Sequence, residues 1–465
     1  MSSQYSGTVI QRTGARISAF VESWMPSPFV FAIGLTYVVF LSGLLVEGRS
    51  PVEMVQFWQD GFWNLLSFGM QMVLILATGY VLAYHPLVQR GIDRLTAVPS
   101  TGPQAVVLVG AVSMVVAWIQ WGLGLIVGAI LAREMGRRAH ERQITVHYPL
   151  LCVAGYMGLG LTWHWGLAAS GPLLMNTPGN VFIKAGIVDG LVSTSQTIFH
   201  PYTLALVVLG IAYSLGVLYV LTPPESESEP ITAFLDEPER SASGDRSPQR
   251  SNDPDDQSEG GWTTGRVLGG LLALGGVLVT IATFVTEGLG ALNLDVVNFG
   301  MLFVGLALYS APQAYQSAFD EAITATSGIV LQFPFYAGIM GMMNASGLSA
   351  TIADQLIAIS TPTTFPAIAW LTAGIVNVFV PSGGGEWTVI GPSILTAAAD
   401  LGVPVGQATV AYAVGDAHTN LLQPFWALPL LGITGMAARD VFGYAVTMLL
   451  ALIPFLAVAL IVIPY

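Results

Sequence analysis

Long apolar runs separated by short polar ones dominate the chain. Runs near the ~20 residues that a helix needs to cross a bilayer fall at about 28–47, 62–84, 148–175, 199–221, 264–286, 294–310, 320–343, 406–436 and 440–464. Two further runs, 104–132 and 365–399, are broken near the middle. The first breaks at Gln120-Trp-Gly-Leu-Gly124 and the second at Pro381-Ser-Gly-Gly-Gly-Glu386. Backbone that cannot bond to itself is tolerated at membrane depth only where it is buried in protein or lines a polar cavity. Each break therefore admits two readings, one long span or a re-entrant hairpin that enters and leaves on the same side.

Arginine placement separates the two readings, because cytoplasmic loops are enriched in Lys and Arg. With two hairpins, one side collects Arg12, Arg16, Arg90, Arg94, Arg133, Arg137, Arg138, Arg142, Arg240, Arg246, Arg250, Arg266 and Arg439, against Arg49 and Lys184 on the other, a split of 13 to 2. With two spans the split is 6 to 9. The hairpin topology wins. It predicts about nine crossings, a cytoplasmic N-terminus, an external C-terminus, and hairpins that dip in from opposite sides.

A shift of 261 residues sets Trp118–Gly124 on Phe379–Gly385 and Thr162-Trp-His-Trp165 on Gln423-Pro-Phe-Trp426. Identities are few, but the order of elements repeats: span, span, broken hairpin, broken span, span. An extra span between the units starts the second on the opposite face. The expected fold is thus an all-α polytopic membrane protein with inverted repeats, two re-entrant hairpins and discontinuous helices, the usual build of secondary transporters.

Composition agrees. Of 465 residues, 53% are hydrophobic and 9% charged, with a mean hydropathy of +0.67, whereas soluble domains carry about 25% charged residues. The net charge of −13 is concentrated between Glu225 and Glu259, where eleven acids face three arginines. The expected organisation is a cytoplasmic amphipathic segment at 1–27 without a cleavable signal, a first repeat at 28–221, an acidic disordered cytoplasmic linker at 222–262, and a second repeat at 263–465. The single Cys152 forms no disulfide framework and no metal set. The only Lys is followed by Ala185, so no nucleotide-binding loop exists, and no His-Glu-x-x-His zinc motif appears. No cofactor and no nucleic-acid partner are expected. No nucleophile–base pair is apparent, and no second acid in a similar span completes a dyad with Asp416.

Candidate chemistry collects at the breaks. Ser382, Gly383, Gly384 and Gly385 form one tip, and Gln120, Gly122 and Gly124 the other. The broken span of the second unit contributes Thr419, Asn420, Gln423 and Trp426, interrupted by Pro424 and Pro429; that of the first contributes Thr162 and His164, with Ser170 and Pro172 on comparable ground. Interrupted helices leave carbonyls for a cation and half-helix N-termini for an anion. Asp416 and Glu386 are the acids at depth and the candidates for the coupling cation, as proton carriers or as help in holding Na⁺. Each has a bland alternative: small residues pack membrane helices, Trp anchors at interfaces, and buried His bonds between helices.

Val380–Trp387, Gln423–Pro429, Asp60–Gln71 and Gln332–Gly338 resemble signature stretches of the prokaryotic short-chain fatty acid transporters of the acetoacetate/butyrate uptake type, within the wider ion transporter superfamily. The resemblance runs from about Ile17 to the C-terminus apart from the linker. It implies elevator-like uptake of a short monocarboxylate across the plasma membrane by H⁺ or Na⁺ symport, and a homodimer. The alternatives are a passive carboxylate channel and a transporter of a different small organic anion.

Overall fold

The computed structural model describes residues 28–235, 261–309, 311–378, 380–423 and 425–465. It is helical, with no strand among the described residues. The first unit contains α1 (Pro28–Leu45), α2 (Pro51–Gly61), α3 (Leu66–Ala83), α4 (Pro86–Thr96), α5 (Gly102–Ile119), α6 (Trp121–Glu141), α7 (Tyr148–Met157), α8 (Ser170–Met175) and α9 (Pro201–Leu221), with a single helical turn at Val181–Lys184 before α9. A connecting helix, α10 (Gly261–Glu287), leads into the second unit. That unit holds α11 (Leu294–Tyr309), α12 (Pro312–Ile323), α13 (Ser327–Ser346), α14 (Leu348–Ala358), α15 (Phe365–Asn377), α16 (Gly383–Leu401), α17 (Val405–Thr419), α18 (Leu428–Thr434) and α19 (Ala438–Val462). Six described helices are long and apolar enough to cross a membrane.

The 261-residue repeat is carried by element boundaries far more clearly than by side chains. The shift takes Pro51 of α2 to Pro312 of α12, and Leu66 of α3 to Ser327 of α13; helices α4 to α8 fall on α14 to α18 within a few residues. Residues related by the shift also touch. Asn420 Nδ2 donates to Leu159 O at 3.1 Å, and a Cβ on Gly160 would strike the Leu421 side chain. Contact between equivalent positions is what a two-fold axis passing between them produces. The two broken spans therefore meet at the centre of the molecule.

Both apolar runs with central breaks are helical hairpins. Helices α5 and α6 pack on each other so closely at their turn that any side chain at Gly124 would collide with Ala117. At each turn an extended residue starts the second helix: Gln120 (φ −154°, ψ 115°) caps α6 through its side-chain oxygen on the Leu123 N–H, and Ser382 (φ −158°, ψ 99°) caps α16 through Oγ on the Gly385 N–H at 3.2 Å. Such caps satisfy donors that a helix start leaves open.

Four short helices, α2, α4, α12 and α14, were not read as elements of their own: α2, α4 and α12 are mixed in polarity, and α14 is apolar but too short to cross a bilayer. Each opens or closes on a turn, as α2 does with a Ser50–Glu53 capping box. The acidic linker is only partly what its composition suggests. Residues 236–260, like 1–27, lie outside the described residues. Thr222–Leu235, however, is docked: Ile231 and Leu235 are buried, the Tyr148 N–H donates to Glu229 O at 2.9 Å, and the Glu229 N–H donates to His147 Nδ1 at 3.0 Å. Apolar side chains between the acids give this stretch something to bury, which corrects the expectation of disorder across it.

Candidate functional site

Each hairpin turn docks against the broken span of the other unit. Trp121, at the first turn, meets Trp426 edge-on at 5.5 Å and Trp163 at 5.7 Å. The second turn meets the first unit's break at Gly383, packed against Trp163 and His164, and is pinned within its own unit by the Trp426 indole, whose Nε1 donates to Pro381 O at 3.0 Å. Between them lies a narrow cleft lined by Met72, Leu159, Ile329, Phe333 and the indoles of Trp121, Trp163 and Trp426, with Ser170 and Ser382–Gly384 as its polar wall. Its free volume is about 20 Å³, room for little more than a water molecule, so the cleft is closed tightly on itself.

The three glycines are dictated by what lies against them. A Cβ on Gly383 would sit 2.5 Å from the Trp163 ring and 2.7 Å from His164 Cε1; one on Gly384 would enter the Phe68 ring, and one on Gly385 would come within 2.6 Å of Tyr336. Gly383 and Gly384 occupy the first turn of α16, where N–H groups have no intrahelical acceptor. Their donors and the helix dipole make a place for an anion.

Beside this wall is a buried polar cluster. His164 Nδ1 lies 2.6 Å from Asp416 Oδ2, and its Nε2 is 3.0 Å from both Ser170 Oγ and the Gly171 N–H. Trp163 stacks on the imidazole at 4.3 Å. Glu386, fully buried with neither oxygen hydrogen-bonded among the described residues, faces Asp416 and Tyr412. The Tyr412 hydroxyl donates to Gly383 O. The structure thus corrects two readings of the sequence. Asp416 does have a second acid opposite it, and Ser170 and His164 are in hydrogen-bond contact. Neither pairing is visible in sequence: Glu386 reaches Asp416 from a different helix, and Ser170 meets His164, six residues before it, only because the helix breaks between them.

The remaining candidates divide by position. Ser382, Gly383, Gly384 and Trp426 line the cleft, and Gly385 closes the cap behind them. Asn377, which the sequence reading did not single out, donates through Nδ2 to Asp416 O, Thr419 Oγ1 and Asn420 Oδ1, and so ties Thr419 and Asn420 to the hairpin. Gln423 is buried with its Oε1 unpartnered among the described residues. Gln120 spends its side chain on the Ile75 carbonyl and the α6 cap; Gly122 and Gly124 serve close packing against Ile75 and Ala117; Thr162 donates to Met114 O at 2.6 Å. These four hold the first hairpin and its neighbour in place, and its contribution to the cleft is Trp121. No group of three or more His, Cys, Asp or Glu that could hold a metal occurs among the described residues.

Comparison with known proteins agrees with this architecture. A family model described as short chain fatty acid transporter matches residues 9–463. A protein of Escherichia coli, provisionally named a short-chain fatty acid transporter, is 36% identical over 442 residues, covering 95% of this chain and 97% of its own. One of Haemophilus influenzae with the same provisional name is 34% identical over 456 residues, 97% and 99% of the two chains. Among solved structures, the YdaH transporter of Alcanivorax borkumensis superposes with a TM-score of 0.60 at 15% identity, over 93% of this chain and 98% of that one. The Neisseria gonorrhoeae protein MtrF, from a class described as antimetabolite efflux pumps, superposes at 0.55 and 14% identity, over 96% and 97%. At these identities the two structures speak for the fold alone.

Proposed function

The chain belongs to the short chain fatty acid transporter family, and from that premise we propose that it is a secondary active transporter taking up a small monocarboxylate, such as butyrate or acetoacetate, in symport with H⁺ or Na⁺. The observation that carries this is the cleft between the hairpin turns. One wall offers free N–H groups of Gly383 and Gly384 and the Ser382 hydroxyl, whose oxygen already accepts from Gly385 and whose hydrogen remains for a ligand. The rest is aromatic and aliphatic. A carboxylate head on the first and a short acyl tail on the second use both. Backbone donors at a helix start bind an anion without a buried Arg and its desolvation cost.

The proposed movement is elevator-like alternating access, in which the hairpin turns and broken spans around the cleft move together against the other helices, with the turns as re-entrant gates. The acids Asp416 and Glu386 stand next to the carboxylate wall, where a cation bound with the substrate offsets its charge. Uptake of labelled butyrate and acetoacetate into proteoliposomes, under separate pH and Na⁺ gradients, tests the reading. Accumulation above the external concentration under one gradient is expected. Uptake that never exceeds equilibration under either gradient would indicate a passive carboxylate channel, and no uptake of either acid would point to a different organic anion.

A further inference from the structure

The Ser170 hydroxyl joins the polar wall of the cleft to His164 of the buried cluster. The Gly171 N–H can only donate, so His164 Nε2, 3.0 Å away, accepts. The ring's one proton then sits on Nδ1, donated to Asp416 Oδ2 at 2.6 Å. In this state Ser170 Oγ, 3.0 Å from the same Nε2, also donates to it. Its hydrogen points away from the cleft, and toward a ligand Ser170 presents lone pairs only. That polarity repels a carboxylate at the very wall where Gly383 and Gly384 attract one. The separation is short: a Cβ on Gly383 would lie 3.0 Å from Ser170 Oγ.

Resting on the reading of the cleft as a carboxylate site, we propose that Ser170, His164 and Asp416 couple proton binding to substrate binding. A proton entering the pair places hydrogen on Nε2, which donates to Ser170 Oγ, and the Ser170 hydroxyl turns outward to donate to the carboxylate. One proton enters with each anion, and no bond between heavy atoms forms or breaks. The protonated state leaves the Gly171 N–H facing another donor, so it is disfavoured until a carboxylate rewards it. That makes proton and substrate bind together rather than separately. The stacked Trp163 ring holds the imidazole in plane, so the change is confined to hydrogens. The titratable groups facing His164 and Asp416 are Tyr412, on the helix of Asp416, and Glu386 of α16. Na⁺ has no part in this switch.

Calorimetric titration of butyrate into the purified full-length protein, repeated in buffers of different ionisation heat, counts protons taken up per butyrate. The expected count for the wild type is one at a pH where free butyrate is fully ionised, with affinity falling about tenfold per pH unit above the coupling range. Ser170→Ala should weaken binding roughly tenfold or more and bring the count to zero, and Ser170→Thr should restore both. A wild-type count of zero, or affinity that follows Na⁺ instead of pH, overturns the coupling proposal while leaving the carboxylate site standing. Ser170→Ala that still takes up one proton per butyrate overturns the role of the hydroxyl. Absence of butyrate binding in the wild type sinks the reading of the cleft, and the coupling proposal with it.

Discussion

Gly384 faces the Phe68 ring with no room for a methyl group, and that contact sets what the second hairpin turn tolerates. Gly384→Ala forces the turn away from α3 and carries its free N–H groups with it. Overpacking of this kind costs about 1–3 kcal/mol. A lowered melting temperature with butyrate uptake reduced at least tenfold is therefore expected in a proteoliposome assay; unchanged uptake would mean that the turn does not hold the substrate. At this scale the sequence was legible where backbone chemistry betrays itself. Three glycines behind Pro381 and Ser382 have no purpose in a plain span, and they line or back the cleft. It was illegible where roles depend on pairing. Gln120 resembles a ligand until its side chain is seen to be consumed by Ile75 O and its own helix cap. Ser170 shows nothing in sequence that marks it above other small polar residues, yet it joins the cleft to His164.

Helices and hairpins were easier to foresee than their polar companions. The breaks at Gln120 and Pro381 become hairpin turns because a capping side chain and close helix packing satisfy the backbone there. The helices α2, α4 and α12 were missed because a search for apolar runs discards mixed patterns, and α14 because it is too short to span. The strap at Thr222–Leu235 was hidden by the acids around it. Its hold on the bundle includes the Glu229 N–H donated to His147 Nδ1, which requires an unprotonated imidazole. Burial lowers the His147 pKa from 6.5 to about 4. His147 takes up its proton more readily once the strap is released, so docking is at full strength above about pH 6.5 and weakens as pH falls toward 4. Limited proteolysis should cut the strap faster at about pH 5 than at about pH 8, and His147→Gln, whose amide oxygen still accepts, should flatten that difference. Equal rates for the wild type at both pH values would remove His147 from the clamp.

At the scale of the whole molecule, two units related by 261 residues place their broken spans in contact and their hairpin turns on each other's breaks. A site built this way belongs to neither unit alone. Its lining comes from α3, α13, both turns and both breaks, which explains why order of elements announced the site as a whole while residue identity marked only the glycine turn. The lining suits the proposed cargo: one anionic head at the α16 N-terminus and a short apolar tail among three indoles. The measurement that tests this most directly is a binding series of straight-chain carboxylates, from acetate to octanoate, titrated into purified wild type, Ser382→Ala and Gly384→Ala. Saturable binding confined to the short acids, lost as the chain lengthens and weakened roughly tenfold or more in both variants, is the predicted result. Equal binding of short and long acids, or short-acid binding untouched by either substitution, would contradict the assignment of this cleft as the substrate site.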